Sequence, residues 1–287
     1  MRRPADAWPD YFVGPITDLI LSNACPQREV PGQIEKGIAP FGETLHLCMQ
    51  MQGGTFMLEI RSNQERGHAN HGWLDTHYTF SFSDYYDPAQ MGFRALRVIN
   101  EDSIGPGGAF GTHGHQDMEI LSYVLSGELA HKDSLGSGGV LRHGEVQFMS
   151  AGTGVRHSEA NPSQETTTHM LQIWLLPNQT GLKPSYEQKE FPVARRPDQM
   201  HLIASRDGRE GSFLIHSDAE VYAGKLLRGT EVRQELAGRN GWIQVAEGDV
   251  AVNGKALHAG DGVAIREEDS VRIGAMTDAE ILLFDLS

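Results

Sequence analysis

The chain contains 287 residues, 39% hydrophobic and 22% charged, which is typical of a globular protein with apolar material for two ordinary domains or one large barrel. Its formal net charge of −14 argues against direct nucleic-acid binding, because an acidic surface repels a phosphate backbone. No apolar stretch approaches the roughly 18 residues of a transmembrane helix, and Asp18 interrupts the best N-terminal apolar run. The sequence therefore predicts a cytoplasmic protein without a membrane span or a signal peptide.

The N-terminal segment 1–56 differs from the rest of the chain. It carries scattered Pro and Gly, both cysteines (Cys25 and Cys48) and no clear hydrophobic periodicity. We interpret it as a loosely attached extension, or as the product of a start site upstream of the original one; a genuine N-terminal subdomain is the alternative. Because no cysteine follows Cys48, any metal site in the rest of the chain must be built from His, Asp and Glu.

From Met57 onwards the chain is rich in short β-favouring runs, separated by Gly, Asn, Asp and Pro as in sandwiches and barrels. The first run is 57–61, and no helical apolar pattern of comparable length competes with the strands. The clearest later runs are 95–99, 119–125, 146–149 and 171–176. These features predict an all-β fold.

Two stretches, 123–148 and 243–265, form a faint internal repeat. In each, a strand reaches a Gly-acid turn, and a second Gly-acid turn opens the next apolar strand. This pattern is expected of a duplicated β-barrel. The polar, proline-containing stretch 184–197 is the predicted join, which gives domains over 57–185 and 186–287.

Two short motifs carry candidate metal ligands. His113 and His115 are two residues apart in an extended segment, so both imidazoles point to the same side of a strand. His157 and Glu159 repeat this spacing. If the two strands face each other across a barrel, they form one site with three nitrogens and one oxygen. Without thiolates, such a site favours Fe(II), Mn(II), Co(II), Ni(II) or Zn(II) over Cu(I).

For other polar residues, the sequence gives weaker evidence of a role in metal binding. Glu119, four residues after His115, is predicted to lie on the same face, either as a fifth ligand or as an acceptor that orients an imidazole; we favour the second role. The second repeat offers only 232–234 where a His pair would stand, so we expect that barrel to be metal-free. Packing or hydrogen bonding accounts for the histidines that have no predicted same-face partner: His68, His71, His77, His131, His143 and His169.

The motifs resemble those of the cupins. Residues 107–127 resemble the first cupin motif and 144–161 the second, although Ser150 stands where proline is usual and the spacing from Gly152 to His157 is longer than usual. Both departures match the pirin family. Further pirin-like segments are 65–67, 72–74, 79–82, 85–88, 92–93, 96–100, 131–134, 149–154, 157–159 and 172–174. The resemblance extends over 57–287 and is closest to bacterial pirin-like proteins with quercetin 2,3-dioxygenase activity.

The resemblance implies a bicupin, two antiparallel β-barrels face to face, with one divalent metal ion in the first. We expect Fe(II), bound by His113, His115, His157 and Glu159, with Mn(II), Co(II), Ni(II) and Zn(II) as alternatives. The implied reaction opens the heterocycle of a flavonol such as quercetin with O₂ and releases carbon monoxide, with Glu159 as the base. Two alternatives use the same ligands: a non-enzymatic, redox-responsive module that binds a protein partner, and a sugar or keto-acid isomerase.

Overall fold

The computed structural model describes residues 58–266 and 268–287; the predicted extension 1–56 lies outside the described residues. This part of the chain is almost entirely β-structure, as predicted, with two 3₁₀ turns at Asn63–Glu65 and Arg209–Gly211. No helix in it is long and apolar enough to cross a membrane. The strands are β1 Leu58–Arg61, β2 Gly67–Asn70, β3 Leu74–Tyr78, β4 Leu96–Ile104, β5 Ala109–His115, β6 Glu119–Ser126, β7 Glu128–Asp133, β8 Gly138–Arg142, β9 Glu145–Ser150, β10 Val155–Ala160, β11 Thr168–Leu175, β12 Ser185–Glu190, β13 His201–Ser205, β14 Phe213–Leu214, β15 Ala219–Leu226, β16 Glu231–Glu235, β17 Asn240–Glu247, β18 Asp249–Val252, β19 Lys255–His258, β20 Gly262–Ile265, β21 Ser270–Ala275 and β22 Ala279–Leu286.

The strands form two similar halves, each with a seven-stranded and a four-stranded sheet. In the first half the strand orders are β12-β9-β6-β11-β4-β3-β2 and β5-β10-β7-β8. In the second half they are β1-β20-β17-β22-β15-β13-β14 and β16-β21-β18-β19. The pairings of β4 to β11 recur in β15 to β22, so the predicted duplication is present in the topology.

The same glycine turn occurs at equivalent points of both halves. Gly127 joins β6 to β7 with a φ of 78°, and Gly248 joins β17 to β18 with a φ of 76°. A Cβ atom at these positions would lie 2.7 Å from the Thr167 carbonyl oxygen and 2.2 Å from that of Asp278. Both the left-handed backbone and the close approach therefore require glycine.

The two halves exchange edge strands. β1 pairs with β20 of the second half, with Leu58 opposite Ile265. β12, from the predicted join, pairs with β9 of the first half, with Ser185 opposite Ser150. The sheets therefore do not separate at 185/186. β1 and β12, at the two ends of the first half, each link the two halves by strand pairing.

The largest hydrophobic core lies between the two seven-stranded sheets. Alternate residues of their strands point into it, because successive side chains of a strand face opposite sides. Its members include Leu121, Tyr123, Phe148, Leu171, Ile173, Phe213, Trp242, Leu282 and Phe284. Full burial of each such side chain stabilises the fold by about 1.5–3 kcal/mol. The opposite faces of the same strands line the two barrel interiors, and these interiors differ in polarity.

Candidate metal centre

Three imidazoles converge inside the first half. His113 and His115 lie on β5 and His157 lies on the neighbouring β10, where it is directly opposite His113. The Nε2 atom of His157 is 3.0 Å from that of His113 and 2.8 Å from that of His115. The two-residue spacing read from the sequence therefore brings three of the four predicted ligands to one point.

The ring orientations suit a shared ion. The imidazole planes of His113 and His115 meet at 84°, and those of His157 meet them at 54° and 63°, so in-plane lone pairs can point at a common centre. A second histidine pair on the outer face of the sheet, His68 and His77, is different: its rings stack 4.4 Å apart at 20°. Lone pairs in nearly parallel planes do not converge, so that pair, although close to Asp75, is not preformed for metal.

Protonation also favours metal binding. The Nδ1–H of His113 can donate to the Gly111 carbonyl oxygen at 2.8 Å, which leaves Nε2 with its lone pair. Burial, reinforced by the neighbouring imidazoles, lowers the pKa of His115 to about 3 and that of His157 to about 2. Neutral imidazole is the form that ligates metals, and facing nitrogen lone pairs repel one another unless a cation lies between them. The donor set therefore fits a divalent ion that accepts nitrogen ligands.

Glu159 lies further inside the barrel. The pairing of β10 with β5 shifts register between His157 and Glu159, so Glu159 stands opposite Phe110. Its carboxylate is 2% exposed and belongs to a second cluster of potential ligands, with His157 and His131. Its place as a fourth ligand remains a prediction.

A row of polar side chains holds the Glu159 carboxylate. Gln172 donates to Oε2 at 2.8 Å, while Ser122 and Gln147 donate to Oε1 at 3.2 and 3.4 Å. These three residues are cross-strand neighbours on β11, β6 and β9, and Asn100 extends the row onto β4. In the sequence Ser122, Gln147 and Gln172 each stand between two hydrophobic residues, and this pattern could have indicated the row.

His131 lies beside the candidate metal centre, which the sequence did not predict. It lies on β7, which pairs with β10, and it stands opposite Glu159. Its Nδ1 is 3.4 Å from Nδ1 of His157, and its Nε2 is 3.2 Å from Oδ2 of Asp133. The expectation that His131 has no same-face partner is therefore wrong, because Asp133 lies two residues further along β7 and His157 approaches from β10.

Glu119 takes neither of its predicted roles. Its carboxylate is fully buried and accepts hydrogen bonds from the backbone N–H groups of His216 and Ser217, at 2.7 and 2.9 Å, and from the Ser217 hydroxyl at 2.6 Å. These partners belong to the second half. The turn after β5, where Asp117 has a φ of 48°, resets the alternation of side chains, so Glu119 faces away from the metal centre.

An aromatic wall borders the centre. The Trp174 ring lies 4.9 Å from that of His115 and 5.2 Å from that of Phe82, in edge-on arrangements. The Trp174 indole nitrogen is buried and has no hydrogen-bond partner in the described part of the chain. This wall therefore offers apolar area and an indole N–H donor beside the imidazoles.

The equivalent strands of the second half carry different residues. β16 and β21 occupy the places of β5 and β10, and there Val232, Ile273 and Ala275 pack into the second barrel's apolar interior. Within residues 58–266 and 268–287, the clusters of three potential ligands all lie in the first half.

Comparisons with known proteins cover both halves. The Pirin family model matches residues 59–175, and that of the Quercetinase C-terminal cupin domain matches 202–286. Over 231 residues the chain is 50% identical to quercetin 2,3-dioxygenase of Escherichia coli strain K12 and 41% identical to a pirin-like protein of Caulobacter vibrioides; each match covers 80% of this chain and 99% of the relative. The crystal structure of the bacterial pirin YhhW from Escherichia coli in complex with nickel(II) matches with a TM-score of 0.76 at 49% identity, covering 80% of this chain and 99% of that one.

Proposed function

The chain belongs to the pirin family, and on this basis we propose that it is a metal-dependent dioxygenase of the quercetin 2,3-dioxygenase type. The observation that carries the proposal is the convergence of three imidazoles beside a buried carboxylate, in a chain that is 50% identical over 231 residues to a named quercetin 2,3-dioxygenase. The substrate would be a flavonol-like aromatic molecule and O₂, with the heterocycle opened and carbon monoxide released.

The proposed ligands are His113, His115, His157 and Glu159, which would hold one divalent ion. We expect Fe(II) in the cell; Mn(II), Co(II), Ni(II) and Zn(II) suit the same donors, and nickel(II) is the ion in the related YhhW crystal. When bound, such an ion acts as a Lewis acid that lowers the pKa of a hydroxyl held against it.

Glu159 is the proposed base. It would take the proton of the flavonol 3-hydroxyl on a carboxylate oxygen, which requires that the carboxylate stays near the imidazoles and remains unprotonated. The donors Gln172, Ser122 and Gln147 support the first requirement, because their hydrogen bonds fix the position of the carboxylate.

The aromatic wall supports a planar substrate. The edge of the Trp174 ring and the neighbouring Phe82 offer apolar surface next to His115. The Trp174 indole N–H can donate to a substrate oxygen, which would satisfy a buried polar atom that has no partner among residues 58–266 and 268–287.

The test is oxygen consumption with quercetin, measured on protein loaded separately with Fe(II), Mn(II), Co(II), Ni(II) and Zn(II). We expect O₂ uptake and carbon monoxide release in equal amounts with at least one ion. The His113→Ala variant, which lacks one ligand, serves as the inactive control. Stable metal binding without turnover under all five loadings would reject the dioxygenase and favour the regulatory, partner-binding alternative.

A further inference from the structure

A buried chain of three side chains leads away from the metal centre. It runs from His157 on β10 to His131 and then to Asp133, both on the adjacent β7. The side chains of His131 and Asp133 are completely shielded from solvent. None of the roles proposed above uses this pair.

Both members of the pair are held in place. Oδ1 of Asp133 accepts hydrogen bonds from the backbone N–H groups of Leu135 and Ser137, each at 2.9 Å, in the turn that follows β7. Its other oxygen, Oδ2, is therefore the atom turned towards His131. The Tyr186 ring stacks on the His131 ring with centroids 4.7 Å apart and planes at 19°, which restricts rotation of the imidazole.

The directions of the hydrogen bonds follow from the chemistry of the groups. A carboxylate only accepts, so Nε2 of His131 must carry the proton that it shares with Asp133. In neutral His131 the Nδ1 atom then has the lone pair and accepts from Nδ1–H of His157. In neutral His157, the proton on Nδ1 leaves the lone pair on Nε2, the atom that faces His113 and His115.

We propose that Asp133 and His131 are positioning residues that hold His157 in the tautomer able to bind the metal. The inference depends on the proposed metal function in one respect: it takes Nε2 of His157 to be a ligand atom. His113 obtains the same tautomer from the Gly111 carbonyl oxygen, a backbone group that substitution of another residue does not remove. His157 depends on two side chains, so its tautomer can be changed by mutation.

Asp133→Asn is the decisive variant. The turn still requires an acceptor for its two N–H groups, so the amide oxygen stays at the Oδ1 position and the NH₂ group points at His131. That group donates, which reverses every hydrogen bond in the chain and places the proton of His157 on Nε2. Loss of such an orienting partner typically lowers metal affinity by about 10–100-fold.

Two measurements on the full chain test the proposal without any turnover. The first is nitrogen NMR of the metal-free protein labelled with ¹⁵N-histidine, which reports which ring nitrogen of His157 carries the proton. The second is competition titration with Ni(II). We expect the proton to move from Nδ1 to Nε2 in Asp133→Asn, together with the loss of affinity. The matched control is His169→Gln, which removes a histidine bonded to Glu101 outside the site and should change neither reading.

An unchanged His157 tautomer together with Ni(II) affinity within twofold of the parent protein would overturn the proposal. If Asp133→Asn does not fold, His131→Leu, which removes both ring nitrogens at similar size, must show the affinity loss instead, and normal affinity there would also overturn it. If the parent protein does not turn over a flavonol, that result would count against the proposed dioxygenase activity. The His157 tautomer and the Ni(II) affinity would still test the positioning role.

Discussion

Replacing Glu159 by glutamine separates catalysis from metal binding and folding. The substitution keeps the shape of the side chain and removes its negative charge and its ability to take a proton. If Glu159 is the base, turnover of quercetin should fall by roughly 10²–10⁴-fold, which corresponds to about 3–5 kcal/mol in the activation barrier.

The structure indicates that folding should tolerate this change. The three donors to Glu159 can rearrange, since the amides of Gln147 and Gln172 can flip and the Ser122 hydroxyl can accept as well as donate. Among the residues that the structure describes, Oε1 of Gln147 has no hydrogen-bond partner, and it could accept from the new amide. We therefore expect the free energy of unfolding to change by less than about 1 kcal/mol.

The assay compares O₂ uptake, bound metal and urea unfolding for the parent protein and Glu159→Gln. The control is Glu165→Gln, because Glu165 is exposed in a loop and should leave all three unchanged. The three imidazoles should retain most of the metal. Full activity of metal-loaded Glu159→Gln would refute the role of Glu159 as base, and parallel loss of metal and activity would mean that it acts chiefly as a ligand.

Three further predictions concern stoichiometry, the contact between the halves and the N-terminal segment. Metal analysis should find about one tightly bound divalent ion per chain, lost in His113→Ala and His157→Ala; two tight ions would contradict a single centre. Glu119→Gln should lower the free energy of unfolding by about 2–4 kcal/mol in urea titrations, because the new amide NH₂ group would face N–H donors of the second half. A change under about 0.5 kcal/mol, as for an ordinary surface substitution, would show that this carboxylate does not join the halves. A chain beginning at Met57 should fold and bind metal like the full chain, and limited proteolysis should cut first within 1–56; an insoluble or metal-free product would show that the segment belongs to the fold.

Much of the metal centre could be predicted because its information is local. His113 and His115, like His157 and Glu159, are two residues apart on strands, and this spacing alone places each pair on one face. The same argument failed for Glu119, since the turn at Asp117 lies between it and His115 and restarts the alternation. Spacing is informative only within one uninterrupted strand.

The strand-rich pattern and the repeated Gly-acid turns likewise determined the all-β class and the duplication, because backbone preferences and glycine requirements act over a few residues. Only the tertiary structure decided which strands became neighbours. The pairing of β7 with β10 brought His131 to His157, and the order of β4, β11, β6 and β9 assembled the polar row around Glu159. β1 and β12 became edge strands of opposite halves for the same reason. Strand neighbours are chosen by burial of apolar faces and closure of long loops, and these energies depend on the whole chain rather than on any local pattern.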